Sequence, residues 1–131
     1  MVAVTAYFTR EAETLNNPAD ADALLTRMEA AQGSGELPRM AELGLTSSTP
    51  WGVLEVGING ERGFVTHISP SGSVISSNGT DSPEMVEYDH QEHVRDVPAS
   101  AEIPVGQVRE AVRQFVESGG SRPDNIAWTE V

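Results

Sequence analysis

The sequence contains no cysteine and no lysine, and no run of about 18 consecutive apolar residues occurs in it. The absence of cysteine excludes disulfides, thiolate nucleophiles and cysteine-ligated metals. The absence of a long apolar run argues against a membrane-spanning helix, and the stretch "MVAVTAYFTREAET" lacks the basic and apolar regions of a secretion signal. We therefore expect a cytoplasmic protein that does not bind membranes.

Basic residues are scarce in this chain. Twenty acidic residues stand against eight basic ones, all of them arginine, which gives a formal net charge of -12. Such a charge disfavours binding to nucleic acid or anionic membranes, and it favours a cationic partner through long-range attraction. A simpler interpretation, which the composition leaves open, is that the acidity only keeps the protein soluble.

The length of 131 residues predicts a single domain that spans residues 1–131. Hydrophobic residues make up 38% of the chain, and two Trp, three Phe and two Tyr supply bulky side chains for a small core. The sequence contains neither internal repeats nor a stretch that resembles an interdomain linker.

The N-terminal part of the chain predicts a strand, a helix and a second strand. The β-favouring run at residues 2–8 suits a strand, and a helix follows from Pro18, with Asn17 as its cap, to an end before Gly33. Its predicted apolar face consists of Leu24, Leu25, Met28 and Ala31. Residues 36–50 fit either a strand or a short helix, and we predict a strand.

Residues 51–68, "WGVLEVGINGERGFVTHI", predict a β-hairpin, because Asn59-Gly60 suits a two-residue type I′ turn. Alternation places the apolar residues of the two strands on both faces. One face carries Leu54, Val56, Ile58 and Val65, and the other carries Trp51, Val53, Phe64 and Ile68 with Glu55 and Arg62. Either a second buried layer or a partner is expected to cover the second face.

The remaining segments predict strands near residues 73–76 and 84–89, a helix that begins around Pro104, and a closing strand over residues 122–131. The helical stripe consists of Val105, Val108, Val112, Phe115 and Val116, and Gly119 ends it. The predicted fold class is α+β, with a mostly antiparallel sheet, two helices packed on one face, and the order β-α-β-β-β-β-β-α-β.

The stretch "DHQEH" at residues 89–93 is the strongest hint of catalysis in the chain. His90 and Glu92 match half of a zinc-deaminase motif, but the cysteine pair of that motif is missing. In an extended segment, His90 and His93 are expected on opposite faces. We therefore predict no catalytic residue, no metal, no cofactor and no enzymatic activity; a metal-dependent hydrolase built on His90, Glu92 and His93 is the alternative.

Acidic residues are concentrated between Asp81 and Glu102. This segment holds seven acids and one base, Arg95, a net charge of -6. It fits either a solvated edge strand or a docking surface for a basic protein, with Tyr88 as an aromatic anchor. The candidate contact residues are Glu84, Glu87, Tyr88, Asp89, Glu92 and Asp96, with Trp51 and Phe64 in reserve.

The stretches "IPVGQVREAVRQFVESGGSRPDNIAW" and "WGVLEVGINGERGFV" together resemble the first-named immunity-protein family of bacterial polymorphic toxin systems. The resemblance covers nearly the whole chain, except that residues 33–50 have no counterpart in the family pattern. The matching positions are Ile103, Pro104, Val105, Ala111, Val112, Phe115, Gly119, Gly120, Arg122, Pro123 and Trp128.

The resemblance implies a small cytoplasmic antitoxin that binds and neutralises a cognate toxin domain, often a nucleic-acid deaminase. Occlusion of the toxin's basic substrate groove is the expected mechanism. The matching residues are expected to be scaffold: Val112, Phe115 and Trp128 in the core, and Arg122 fixing the final turn. A non-catalytic secretion adaptor or chaperone is the remaining alternative.

Overall fold

A computed structural model describes residues 4–9, 11–32, 36–45 and 52–131. Within these ranges the chain forms ten strands, two α-helices and one short 3-10 helix. The strands are β1 (Val4–Tyr7), β2 (Glu13–Leu15), β3 (Arg39–Leu45), β4 (Val53–Asn59), β5 (Arg62–Ser69), β6 (Gly72–Ser76), β7 (Met85–His90), β8 (His93–Pro98), β9 (Ile103–Pro104) and β10 (Trp128–Glu130). The helices are α1 (Pro18–Ala31), α2 (Val105–Ser118) and the 3-10 helix Ala99–Ala101.

Seven of the strands follow one path across the sheet, in the order β10-β6-β5-β4-β3-β1-β2. Strand β9 pairs with the start of β5, and β7 pairs with β8 to form a separate hairpin. These pairings are antiparallel, whereas β7 meets β3 in parallel through the pair Arg39 and Asp89. The α+β class and the mostly antiparallel sheet are therefore confirmed.

Helix α1 begins as its sequence predicts. The Asn17 side chain accepts a hydrogen bond of 2.9 Å from the backbone N–H of Asp20, and Pro18 occupies the first turn. The buried face consists of Ala21, Leu24, Leu25 and Met28. Ala31, predicted on this face, is instead exposed at the last residue of the helix.

Helix α2 also follows its predicted stripe. Its buried residues are Val108, Ala111, Val112, Phe115 and Val116, and Gly119 ends it with a φ of 76°, a conformation that favours glycine. Pro104, expected in the first turn, lies one residue before the helix. Arg109 joins the helices, since its guanidinium lies 2.6 Å from Asp22 and 3.0 Å from Glu29 on α1.

The β4–β5 hairpin has its turn one residue later than predicted. Gly60 and Glu61 form the loop, Asn59 pairs with Arg62, and Gly60 takes the positive φ of 64°. Val56 therefore pairs with Val65 rather than with Gly63. The apolar face is unchanged, because the pairing shifts by two residues and side chains alternate with a period of two.

The first core lies between the helices and the sheet. Apolar side chains from β1, β3, β4 and β5 meet the buried faces of both helices there. Its largest fully buried members include Leu15, Leu24, Leu25, Met28, Leu43, Leu54, Ile58, Ile103 and Phe115. Trp128 packs against it while half-buried, and its indole N–H donates a 2.9 Å hydrogen bond to the carbonyl of Pro123. This bond holds the final turn; Arg122, which we expected to do so, is exposed.

A second core lies on the opposite face of the sheet, under the β7–β8 hairpin. It contains Met40, Phe64, Tyr88, Val97 and Ala101. The rings of Phe64 and Tyr88 pack edge to face, with centroids 4.8 Å apart. The expectation of a second buried layer is therefore confirmed for the Phe64 end of that face, whereas Trp51 lies outside the described residues.

Candidate functional site

The β7–β8 hairpin presents one face to the second core and one to solvent. Side chains alternate along both strands, so Val86, Tyr88 and Val97 point inward and the residues between them point outward. The outward positions form what we call the outer hairpin face, which consists of Met85, Glu87, Asp89, Val94 and Asp96. Glu84 precedes this face and Glu92 lies at the hairpin tip, both exposed.

Glu87 and Asp96 are paired directly across the two strands. Like charges at directly opposite positions destabilise a sheet. Among the residues that the structure describes, no arginine or histidine forms an ion pair with either carboxylate. Five arginines pair with other acids: Arg27 with Glu13, Arg39 with Glu36, Arg95 with Glu55, Arg109 with Asp22 and Glu29, and Arg113 with Glu110 and Glu117. Within the described part of the chain, the negative charge of this pair is therefore not compensated by an ion pair.

Two large apolar side chains accompany the acids. Met85 is 55% exposed and Val94 is 56% exposed, the highest values for large apolar residues of the sheet. An acidic surface that also carries exposed apolar groups combines the two components of a protein interface, namely steering charge and desolvated contact area.

The hairpin tip is a tight turn built from residues without the usual turn chemistry. Gln91 has a φ of 51° and Glu92 a φ of 74°, although neither is glycine, asparagine or aspartate. The Asp89 carboxylate accepts a 2.8 Å hydrogen bond from the Glu92 N–H, and the Gln91 side chain donates one of 2.8 Å to the Thr9 carbonyl. The first bond closes the turn, and the second ties the tip to the segment that follows β1.

Tyr88 does not lie on this surface. Its side chain is fully buried, and its hydroxyl donates a 2.7 Å hydrogen bond to the carboxylate of Glu102, which also accepts one from Asn59. Burial raises the pKa of the Tyr88 phenol, and the bond to Glu102 raises this pKa further. The expectation of an exposed aromatic anchor is therefore wrong, and Glu102, the last acid of the run, is a buried structural residue.

Phe64, the second aromatic candidate, is only 2% exposed and belongs to the second core. The acidic candidates are more accessible to solvent than the two aromatic ones. Glu84, Glu87, Glu92 and Asp96 are exposed, and Asp89 is half-buried. The structure thus brings three of these acids onto one face and removes both described aromatic candidates from it. The inward position of Tyr88 follows from strand alternation, because a residue between outward Glu87 and outward Asp89 must point inward.

His90 and His93 face each other as the last cross-strand pair before the tip. They therefore share a face, contrary to our expectation for an extended segment, because the chain reverses direction between them. The Nε2 atom of His90 is buried without a hydrogen-bond partner. No group of three or more His, Asp or Glu residues suited to a metal ion occurs within the described ranges, so a third ligand for this pair is not found there.

A cleft of about 580 Å³ opens beside the hairpin, bounded by β5, β6, β8, β10 and the 3-10 helix. Its apolar part includes Phe64, Ile75 and Val97, and its rim includes Thr80 and Asp96. Because Asp96 belongs to both features, the cleft is continuous with the outer hairpin face. No local sequence pattern predicts this cleft, because strands that are far apart in the sequence form it.

Residues 9–130 match the model of the family described as Immunity protein Imm1, so the chain belongs to this immunity-protein family. The resemblance expected from the sequence is thereby confirmed, and the family implies a cognate toxin as the partner. No curated protein matches the chain. No helix in the described part of the chain is both long enough and apolar enough to span a membrane.

Proposed function

We propose that this immunity protein neutralises its toxin by direct binding, and that the outer hairpin face is the centre of the contact. The observation that supports this proposal is the pairing of Glu87 with Asp96, which costs the free protein stability and which no ion pair offsets within the described ranges. A basic partner would turn this repulsion into attraction for both carboxylates at once. The exposed side chains of Met85 and Val94 add apolar area on either side.

The expected partner is a toxin domain with a positively charged groove. An enzyme that acts on nucleic acid needs such a groove for the phosphate backbone, and an acidic surface can occupy it in place of the substrate. The resemblance noted in the sequence implies a toxin that is often a nucleic-acid deaminase, and we infer that class here. The proposed mechanism is thus occlusion of the groove in the cytoplasm, without catalysis by the immunity protein.

The first experiment is co-purification with the toxin domain encoded by the neighbouring gene, followed by growth rescue in cells that express this toxin. A stable complex together with restored growth supports neutralisation by binding. A complex without rescue supports the alternative of a secretion adaptor or chaperone. If neither binding nor rescue is observed, the proposed function is wrong for this pair of proteins.

The second experiment tests whether the toxin contacts the outer hairpin face. Replacing both Glu87 and Asp96 with Lys keeps a like-charged pair, so the free energy of unfolding should change little. Association with the toxin at low salt should slow by about 10-fold, and the difference should shrink at high salt. The matched control replaces Glu110 and Glu117 on α2 with Lys, which alters the net charge equally on the helical side.

Equal slowing in both double variants would attribute the effect to net charge and would overturn the placement of the contact on the hairpin. An unchanged association rate in the hairpin variant would do the same. Neither outcome would affect the conclusion from co-purification and rescue, since those measurements use the unmodified protein.

A further inference from the structure

Glu55 has an unusual position for a carboxylate. It lies in the middle of β4, on the face of the sheet that the hairpin covers, and its side chain is only 11% exposed. A carboxylate this far from water requires compensation by a cation or by several hydrogen-bond donors. Glu42 on β3 lies directly opposite Glu55, which adds a second negative charge to the same face.

The compensation that Glu55 receives within the protein is partial. A single nitrogen of Arg95, Nη2, lies 3.2 Å from one carboxylate oxygen and 3.5 Å from the other. This contact is not the two-nitrogen fork that makes arginine–carboxylate pairs strong, and the Arg95 side chain is 46% exposed. Glu55 therefore keeps capacity to accept further hydrogen bonds on the side that lines the cleft.

The cleft combines this carboxylate with an apolar wall and a hydroxyl-bearing rim. Its volume of about 580 Å³ lies within the usual range of about 300 to 1,000 Å³ for ligand clefts. Ile75 lies one strand beyond Thr66, which pairs with Glu55, so apolar surface continues from the carboxylate toward β10. Asp81 and Asp96 line the cleft as well, which makes it acidic despite Arg95.

We propose that this cleft receives a cationic side chain of the toxin, an arginine or a lysine on a protruding loop. Its charged end would meet Glu55, and its aliphatic stem would pack against Ile75. Long basic side chains bury their stems on apolar surface in this way while their charged ends find oxygen acceptors. This inference rests on the proposed function, and it adds a specific anchoring site to the electrostatic contact at the hairpin.

A cysteine-protection experiment tests the cleft directly. Because the chain has no cysteine, a single introduced cysteine is the only thiol that maleimide can modify in it. Thr80→Cys places a thiol on the exposed rim of the cleft, Met85→Cys places one on the outer hairpin face, and Ala23→Cys on exposed α1 is the control. Intact-mass measurement follows modification with and without the toxin domain.

We expect the complex to slow modification of Thr80→Cys and Met85→Cys by about 10-fold, because interface centres exclude water, and to leave Ala23→Cys unchanged. Protection of Met85→Cys without protection of Thr80→Cys would overturn the cleft proposal and leave the hairpin contact intact. Failure of the unmodified protein to bind the toxin would instead remove the proposed function itself. The two failures are therefore distinguishable.

Replacement of Glu55 tests the chemistry of the occupant. Glu55→Gln keeps the size of the side chain and should weaken toxin affinity by about 10-fold, the usual effect of losing a hydrogen bond to a charged group. Glu117→Gln, the same change on α2, should leave the affinity unchanged. If Glu55→Gln does not fold, Thr80→Trp, which narrows the mouth of the cleft, replaces it. If the variant that folds binds the toxin as tightly as the unmodified protein does, the proposal is wrong.

Discussion

Glu87 on β7 and Asp96 on β8 stand directly opposite each other on the exposed face of the hairpin, and both carry a negative charge. Opposite positions in an antiparallel pair bring side chains within a few ångströms, where like charges repel. The five arginines that form ion pairs in the described chain do so with other acids. The pair is thus a cost in the free protein, which is the expected property of a residue pair kept for binding.

The first prediction is that Glu87→Gln stabilises the free protein. Removing one charge ends the repulsion with Asp96 and should raise the free energy of unfolding by about 0.2 to 1 kcal/mol, measured by urea titration at low salt. Glu117→Gln on α2 is the matched control and should change stability in the opposite direction, because Glu117 pairs with Arg113 at 2.9 Å. A loss of stability in Glu87→Gln would show that this carboxylate has a favourable partner.

The sequence predicts the scaffold well because its signals are local. Asn17 and Pro18 specify the start of α1, and the stripe from Val105 to Val116, followed by Gly119, specifies α2. The predicted hairpin turn differs from the observed one by one residue, because Asn59-Gly60 and Gly60-Glu61 both contain a glycine. The predicted apolar face is nevertheless correct, because side chains alternate with a period of two and the pairing shifts by two residues.

The candidate surface could be predicted only in part. The density of acids between residues 81 and 102 predicts a candidate surface in this segment, but Gln91-Glu92 lacks any turn signal, so the sequence predicts extended chain where the structure has a hairpin. Without the chain reversal, neither the pairing of Glu87 with Asp96 nor that of His90 with His93 can be deduced. The cleft depends on contacts between strands far apart in sequence, which no local pattern encodes.

The second prediction concerns Tyr88 and alkaline pH. Burial and the bond to Glu102 raise the pKa of its phenol above the usual value of about 10. Below pH 10 the phenol is neutral in both states and its contribution is complete. Above about pH 10 the unfolded chain ionises this group and the folded chain does not, so stability falls with rising pH by up to about 1.4 kcal/mol per pH unit.

Tyr88→Phe separates this effect from other titrations, because the variant retains every other ionisable group. Near pH 8 it should cost about 1 to 3 kcal/mol, since the buried Glu102 carboxylate loses its phenol donor. The difference from the unmodified protein should then shrink as the pH rises above about 10. A constant difference across this range, measured by urea unfolding, would contradict the raised pKa of Tyr88.

The third prediction tests the packing of the second core. A Cβ atom at Gly57 would lie 2.6 Å from the ring of Tyr88, and it would also collide with the ring of Phe64. Gly57→Ala should therefore cost about 1 to 3 kcal/mol, because two packed rings must move. Gly44→Ala on the neighbouring strand is the control, since nothing lies within 4 Å of its added Cβ. Equal stability of the two variants would contradict the placement of the hairpin over β4.

The fourth prediction concerns the strained hairpin tip, where Glu92 has a φ of 74°. Glycine adopts this conformation without the steric cost of a Cβ, so Glu92→Gly should stabilise the protein by up to about 1 kcal/mol. Glu92→Gln loses the same charge but keeps the strain, so the difference between the two variants in thermal unfolding isolates the backbone effect. If both variants also bind the toxin more slowly and to the same extent, the charge of Glu92 contributes to electrostatic steering. The Glu92 side chain would then favour binding at a cost in stability. If Glu92→Gly is no more stable than Glu92→Gln, the positive φ at Glu92 does not strain the turn.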